Sequence, residues 1–194
     1  MILRRGLPRL RKLSTSDSLF GAVGMPALCD VLDRGSAPSL RTLVVNSSNV
    51  GPAGAAALAA ALRRGAMPNL ESLDLEGNPI GHQGLTALVA PLRKLPALET
   101  LNLHTCEIGD EGVASLVADL GKDDFKNLKY LFLNANKITD AGAAKLLTAI
   151  NAGGLPKLRN NGALFMFSIG NSVSDSAVAA VHAALAKRSV DARR

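Results

Sequence analysis

The chain has 194 residues, 47% of them apolar, which excludes an unfolded chain and allows one domain with a substantial core. Aromatic residues are only 3% and Trp is absent, so Leu and Ala must fill that core, a composition suited to stacked layers of equal, modest volume. The net charge of +6 sits at the ends, at Arg4, Arg5, Arg9, Arg11 and Lys12 and again at Lys187, Arg188, Arg193 and Arg194; a nucleic-acid binder would spread its cations along one face, so solvated ends are the preferred reading.

The start, through Ser16, is Arg- and Ser-rich and acid-free, faintly like a mitochondrial transit peptide. A repeat beginning at Leu10 accounts for most of it. Further units begin at Leu40, Leu70, Leu98 and Leu128, so the anchors lie 30, 30, 28 and 30 residues apart. Three residues after each anchor stands Leu13, Leu43, Leu73, Leu101 or Leu131, and ten after stands Phe20, Val50, Ile80, Ile108 or Ile138. Eighteen after comes Leu28, Leu58, Leu88, Leu116 or Leu146, and twenty-two after comes Leu32, Leu62, Leu92, Leu120 or Ile150.

The anchor and the residues three and five after it alternate as a short strand with one face inward. The pair four apart, such as Leu58 and Leu62, lies on one side of a helix. Each unit is therefore predicted to be strand, turn and helix, and stacked units to form a parallel sheet with the helices outside it. Helices are wider than strands, so the predicted fold is an α/β right-handed curved solenoid of about six repeats, with the sheet on the concave side. Position eight is polar or small (Ser18, Ser48, Asn78, Cys106, Asn136), and a buried Asn there can pair with orphaned backbone groups of neighbouring turns. Glycine pairs three apart, such as Gly51 and Gly54 or Gly81 and Gly84, suit tight packing at the helix start. Asp110, Asp140 and Asp175 are expected at helix N-termini, with Thr139 and Ser174 as caps.

The sixth unit, anchored at Leu158, departs from the rule. Asn171 follows its anchor by thirteen residues instead of eight, which places an irregular insertion near 159–163. Arg159-Asn160-Asn161-Gly162 reads as a turn, and Ala163–Ile169, with Phe165 and Phe167, as an apolar strand. Terminal repeats are often atypical, so a capping irregularity or a mispredicted exon boundary is preferred to a binding insertion.

The Leu-x-x-Leu-x-Leu-x-x-Asn/Cys run, the period of about 28 residues and the Ile108-Gly109-Asp110-Glu111-Gly112 type of helix start resemble the ribonuclease-inhibitor class of leucine-rich repeats. That class includes repeat domains of nucleotide-binding innate-immune receptors and of the GTPase-activating protein for Ran. The resemblance covers residues 7–188 and implies one repeat domain over 1–194 that binds a protein. It does not name the partner. The chain lacks the cysteine richness of ribonuclease inhibitor, the phosphate loop of the immune receptors and the acidic tail of the Ran activator.

No nucleophile elbow, zinc-protease motif or phosphate loop occurs. His104 and Cys106 are two residues apart, but their offsets put His104 on the exposed concave face and Cys106 inside. His82 and His182 read as ordinary helix residues. The chain is therefore expected to be no enzyme and to need no cofactor or metal. Binding is expected on the concave sheet, whose outward residues fall two, four and six after each anchor. Candidates are Val44, Asn46, Asp74, Glu76, Asn102, His104, Tyr130, Phe132 and Asn134. Lys12, Ser14 and Ser16 would form the cationic end of the same face. Tyr130, the single Tyr, and Phe132 have no core duty under the repeat rule, which marks them as contact residues. The partner is expected to be a protein, with no small-molecule substrate, nucleic acid or membrane, and the chain a monomer; the alternative is a regulator of an enzyme, such as a GTPase activator or an inhibitor. Two cysteines cannot make a disulfide framework and suit a reducing, cytoplasmic setting.

Overall fold

The computed structural model describes residues 7–15, 21–32, 35–159 and 169–191. Ser16, Ser18, Phe20, Phe165, Phe167 and most of the expected sixth strand lie outside these residues. Among the described residues, five strands and six helices follow in the order β1 (Lys12–Ser14), α1 (Gly21–Val31), β2 (Thr42–Val44), α2 (Pro52–Arg63), β3 (Ser72–Asp74), α3 (Gly81–Arg93), β4 (Thr100–Asn102), α4 (Asp110–Val117), β5 (Tyr130–Phe132), α5 (Asp140–Asn151) and α6 (Asp175–Asp191). The strands form one parallel sheet in sequence order, and Leu13, Leu43, Leu73, Leu101 and Leu131 stand in register across it. Successive helices pack side by side. The result is an α/β leucine-rich-repeat solenoid. Strands stack about 4.8 Å apart whereas helices need about 10 Å, so helices fan out on the far side of the sheet.

The core is a continuous column of repeat leucines. Leu43, Leu58, Leu73, Leu88, Leu101, Leu116, Leu131 and Leu146 are all buried. Alanine-rich α2 buries Ala55, Ala59 and Ala61 along with Leu58 and Leu62, so small side chains let its neighbours approach closely. The column thins at the N-terminus, where Leu10, Leu13 and Leu28 are only partly buried.

Two expectations need correction. α4 stops at Val117, so Leu120 is not on the helix and is only partly buried. Phe125, from the loop that follows, is one of the largest fully buried side chains. Gly121 and Asp124 shape the loop, the Asp124 carboxylate accepting the Gly121 N–H at 3.0 Å. The glycine pairs also divide in role. From the second repeat to the fourth the second glycine is the packed one: a Cβ at Gly112 would meet Ile108 at 2.7 Å, whereas one at Gly51 would meet open space; in the first repeat it is the first, Gly21, where a Cβ would collide with the Asn49 carbonyl.

At the sixth unit the Arg159 N–H donates to the Lys129 carbonyl, just as Lys129 N–H donates to Glu99. Ala135 N–H donates to Ile169, as Thr105 N–H donates to Asn134. The residues flanking β5 are thus bonded to the chain on either side of 160–168. Among the described residues no helix is long and apolar enough to cross a membrane.

Candidate functional site

Beneath the sheet's edge runs the asparagine ladder that positions the face. Asn78 Oδ1 accepts from the Ser48 and Val50 N–H groups at 3.1 and 2.8 Å, and its Nδ2 donates to Val45 and Leu75 carbonyls. Asn136 does the same two repeats on, accepting from Cys106 and Ile108, and Asn171 accepts from Asn136 and Ile138. Buried backbone groups at the strand exits are satisfied this way, as position eight predicts. The residue before each rung turns through positive φ: Ser47 (48°), Gly77 (70°), Thr105 (52°), Ala135 (50°) and Gly170 (72°). This kink swings the side chain at position eight inward. A Cβ at Gly170 would come within 2.6 Å of Ala135 Cα, so glycine is needed there for space as well as for φ.

The strands set the face. Lys12 and Ser14 are exposed on β1. One row across the sheet holds Val44, Asp74, Asn102 and Phe132 in mutual register, and a second holds Thr42, Ser72, Thr100 and Tyr130. A third, just past the strands, holds Asn46, Glu76, His104 and Asn134. The structure therefore brings all nine sequence-predicted residues onto one surface. They are less exposed than expected. All but Asn134 are half-buried, because in-register strands stack like-numbered side chains against one another, and Asn134 is buried at 4%.

Polar contacts join Glu76, His104 and Asn134 of the third row and tie Asn102 of the first row to them. Asn102 Nδ2 donates to Glu76 Oε2 at 3.0 Å, His104 Nδ1 lies 3.9 Å from Glu76 Oε1, and Asn134 Nδ2 lies 2.9 Å from His104 Nδ1. Asp74 Oδ1 accepts the Glu76 N–H at 3.0 Å. Burial pushes the Asp74 carboxyl above its ordinary range, with the neighbouring Glu76 charge acting in the same direction against these hydrogen bonds. His104 and Cys106 do diverge: the first faces outward, whereas the Cys106 thiol is buried and donates to the Leu75 carbonyl. Burial lifts the Cys106 pKa to about 12, which makes it an inert structural thiol. Among the described residues no cluster of three His, Cys, Asp or Glu could hold a metal ion.

Sequence reasoning missed two polar devices on the helical side. Asp110, the first residue of α4, serves the next repeat: it accepts Thr139 N–H and Oγ1–H and Gly142 N–H, tying α4 to the start of α5. Asp140 repeats the arrangement on Ser174. Asp124 is 5% exposed and bonds Lys94 at 2.5 Å, with Arg93 at 3.9 Å. Only the Gly-Lys-Asp-Asp run of residues 121–124 hinted at that loop. The early end of α4 also opens a groove towards α5, lined by Val117, Leu120, Lys145 and Ala149.

A leucine-rich-repeat family model matches residues 36–59, 66–89, 94–117 and 126–147. The chain belongs to the leucine-rich-repeat family. Each matched repeat begins shortly before an anchor leucine and ends on the following helix. No curated protein matches this leucine-rich-repeat chain in sequence. Among solved structures it is similar to leiomodin-1 actin-binding site 2, with a TM-score of 0.51 and 12% identity over 98% of this chain and 87% of that one. It also matches a chain of the TLR13–ssRNA13 complex, with a TM-score of 0.28 and 19% identity over 87% of this chain and 31% of that one. The likeness to leiomodin-1 is one of fold.

Proposed function

We propose that this leucine-rich-repeat domain is a protein-interaction module that holds its partner against the sheet face, with Tyr130 and Phe132 at the centre of contact. The carrying observation is the placement of these aromatics. They flank buried Leu131 on β5, each half-buried, in a chain with one Tyr and five Phe. Neither belongs to the buried core, which the inward leucines dominate. Aromatic side chains of this kind gain by burial at an interface, where each can contribute about 2 kcal/mol or more. Leiomodin-1's matched region is described as an actin-binding site, so the same scaffold serves protein binding there. Asp74, Glu76 and His104 on the adjoining strands would set orientation and salt dependence. We place the protein in the cytoplasm, where its two free, buried thiols, Cys29 and Cys106, would stay reduced.

The test is quantitative affinity capture from cells that express the protein, using wild type and Tyr130→Ala/Phe132→Ala side by side. A specific partner should be recovered by wild type and reduced at least tenfold by the double variant at unchanged Tm. Equal recovery of every co-purifying protein would overturn the reading.

A further inference from the structure

Between the C-terminal ends of α2 and α3 lies a groove of about 520 Å³, open to solvent and lined by Leu62, Ala90, Pro91, Leu95 and Pro96. Arg63, the last residue of α2, lines its rim and is exposed. Its Nη1 donates to the Ala87 carbonyl of α3 at 3.5 Å, the far limit of a hydrogen bond. Pro91, four residues on, has no N–H to give that carbonyl. Among the described residues Arg63 has no carboxylate partner, and the other cations nearby are committed: Arg64 to the Cys29 and Leu32 carbonyls, Lys94 to Asp124.

The next repeat shows what this position does with an acid. Arg93 stands 23 residues after anchor Leu70, as Arg63 stands 23 after anchor Leu40. Its Nη2 donates to the carbonyl of Ser115, which holds in its own repeat the place of Ala87. Arg93 also has a carboxylate: Asp124 Oδ2 lies 3.9 Å from its Nη1, and Phe125, beside Asp124, is fully buried. Asp124 stands four residues before anchor Leu128. Four residues before anchor Leu98, where the corresponding acid for Arg63 would stand, is the cation Lys94. Of two repeat-equivalent arginines, one is therefore met by an acidic and apolar pair of this chain, and the other faces an open groove.

We propose that this groove docks a segment of a protein partner in which an acidic residue adjoins an apolar one, the carboxylate on Arg63 and the apolar side chain against Pro91, Leu95 and Pro96. The site lies between helix ends, apart from the sheet face, so it goes beyond the reading above and stands or falls separately. A guanidinium with one long bond keeps N–H donors for a carboxylate, which it can hold through two of them at once. The apolar lining excludes part of the water and strengthens that pair. Prolines stiffen the walls, so docking costs little ordering there. The volume falls within the range of about 300–1,000 Å³ typical of ligand sites, yet such sites enclose most of a small ligand and this one is open. An open groove suits a peptide segment that keeps one side in water better than a free aliphatic acid.

The test uses the full chain, labelled with ¹⁵N, titrated with the peptide acetyl-Gly-Asp-Leu-Gly-amide, its Asn-Leu and Asp-Ser counterparts, and hexanoate. The Asp-Leu peptide should give saturable shifts at the backbone amides of Arg63, Gly65, Ala90 and Leu95. The Asn-Leu peptide, the Asp-Ser peptide and hexanoate should each bind about fivefold or more weakly. Arg63→Gln should weaken Asp-Leu binding about fivefold or more, and so should Ala90→Glu, which sets a like charge on the exposed groove wall. Lys145→Ala, an exposed cation in the groove between α4 and α5, should stay within about twofold. Equal binding of the Asn-Leu peptide, or an unchanged affinity in Arg63→Gln, would overturn the site. Hexanoate binding as tightly as the Asp-Leu peptide would overturn the docking of a partner segment and make the groove a small-molecule site. Shifts confined to the sheet face, or no shift anywhere, would overturn it too while leaving the sheet-face reading untouched.

Discussion

Asn136 holds Cys106 in place: its Oδ1 accepts the Cys106 N–H at 3.0 Å, and yet Cys106 itself occupies the corresponding rung of the preceding repeat with a thiol. A thiol cannot do for Asn78 and Ile80 what the Asn136 amide does for Cys106 and Ile108. Cys106→Asn should therefore complete the ladder and raise stability by about 1 kcal/mol, whereas Asn136→Ala, which strands several buried backbone groups, should cost about 3 kcal/mol. Thermal unfolding of the two variants checks this. A ladder without energetic weight would leave both at the wild-type Tm.

The ladder also shows what is legible in the sequence itself. Strand and helix positions followed from the leucine offsets, because each inward site admits only a side chain of similar volume. The nine face residues followed from alternation along the strand. Their depth did not, since it depends on how the side chains of adjoining repeats lean on each other, and Asn134 closes over completely. The role of Asp110 was half legible. Its place at a helix start came from the pattern, but its bonds to Thr139 and Gly142 belong to the next repeat and have no local mark. Phe125 and Asp124 were illegible as core because α4 ends early and they lie in the loop that follows.

Acid should loosen the helical side. In Asp110 and Asp124 burial opposes the charge, but hydrogen bonds from Thr139 and Gly142 in one case, and from Lys94 and Gly121 in the other, outweigh it and hold both carboxyls below their ordinary value of 3.8. Such groups add stability above the unfolded value, and that stability is lost as pH falls through the lowered folded values. Tm should therefore fall between pH 5 and roughly pH 2, and Asp110→Asn/Asp124→Asn should show a smaller fall from a lower starting point. An identical acid profile in the double variant would show that these carboxylates do not govern it.

Asp74 has the opposite sign. Its folded value is raised, so the ionised form at neutral pH weighs against folding, and the deficit grows as pH rises through the folded value. Asp74→Asn should unfold at a temperature equal to or above wild type at pH 7, with the gain vanishing at low pH where the carboxyl is protonated. A clear loss of Tm at pH 7 would make Asp74 a structural residue instead of one held at some cost for binding.

The N-terminal unit should be the least stable. Leu10, Leu13 and Leu28 are half-buried, while Leu40, Leu43 and Leu58 are at most 1% exposed. Amide exchange across 10–31 should outrun that across 70–150 by orders of magnitude if the solenoid opens from this end. Uniform protection along the chain would instead place the N-terminal unit in one cooperative block with the rest.

The central claim, that the sheet face binds protein, is tested most directly by the Kd of the captured partner for three forms: wild type, Tyr130→Ala/Phe132→Ala, and Lys145→Ala in the groove between α4 and α5. The account predicts at least a tenfold rise in Kd for the aromatic double variant and a change within about twofold for Lys145→Ala, with all three equally folded. A Kd unchanged by the loss of both aromatics, and raised by Lys145→Ala, would contradict it and move the binding surface to the helices.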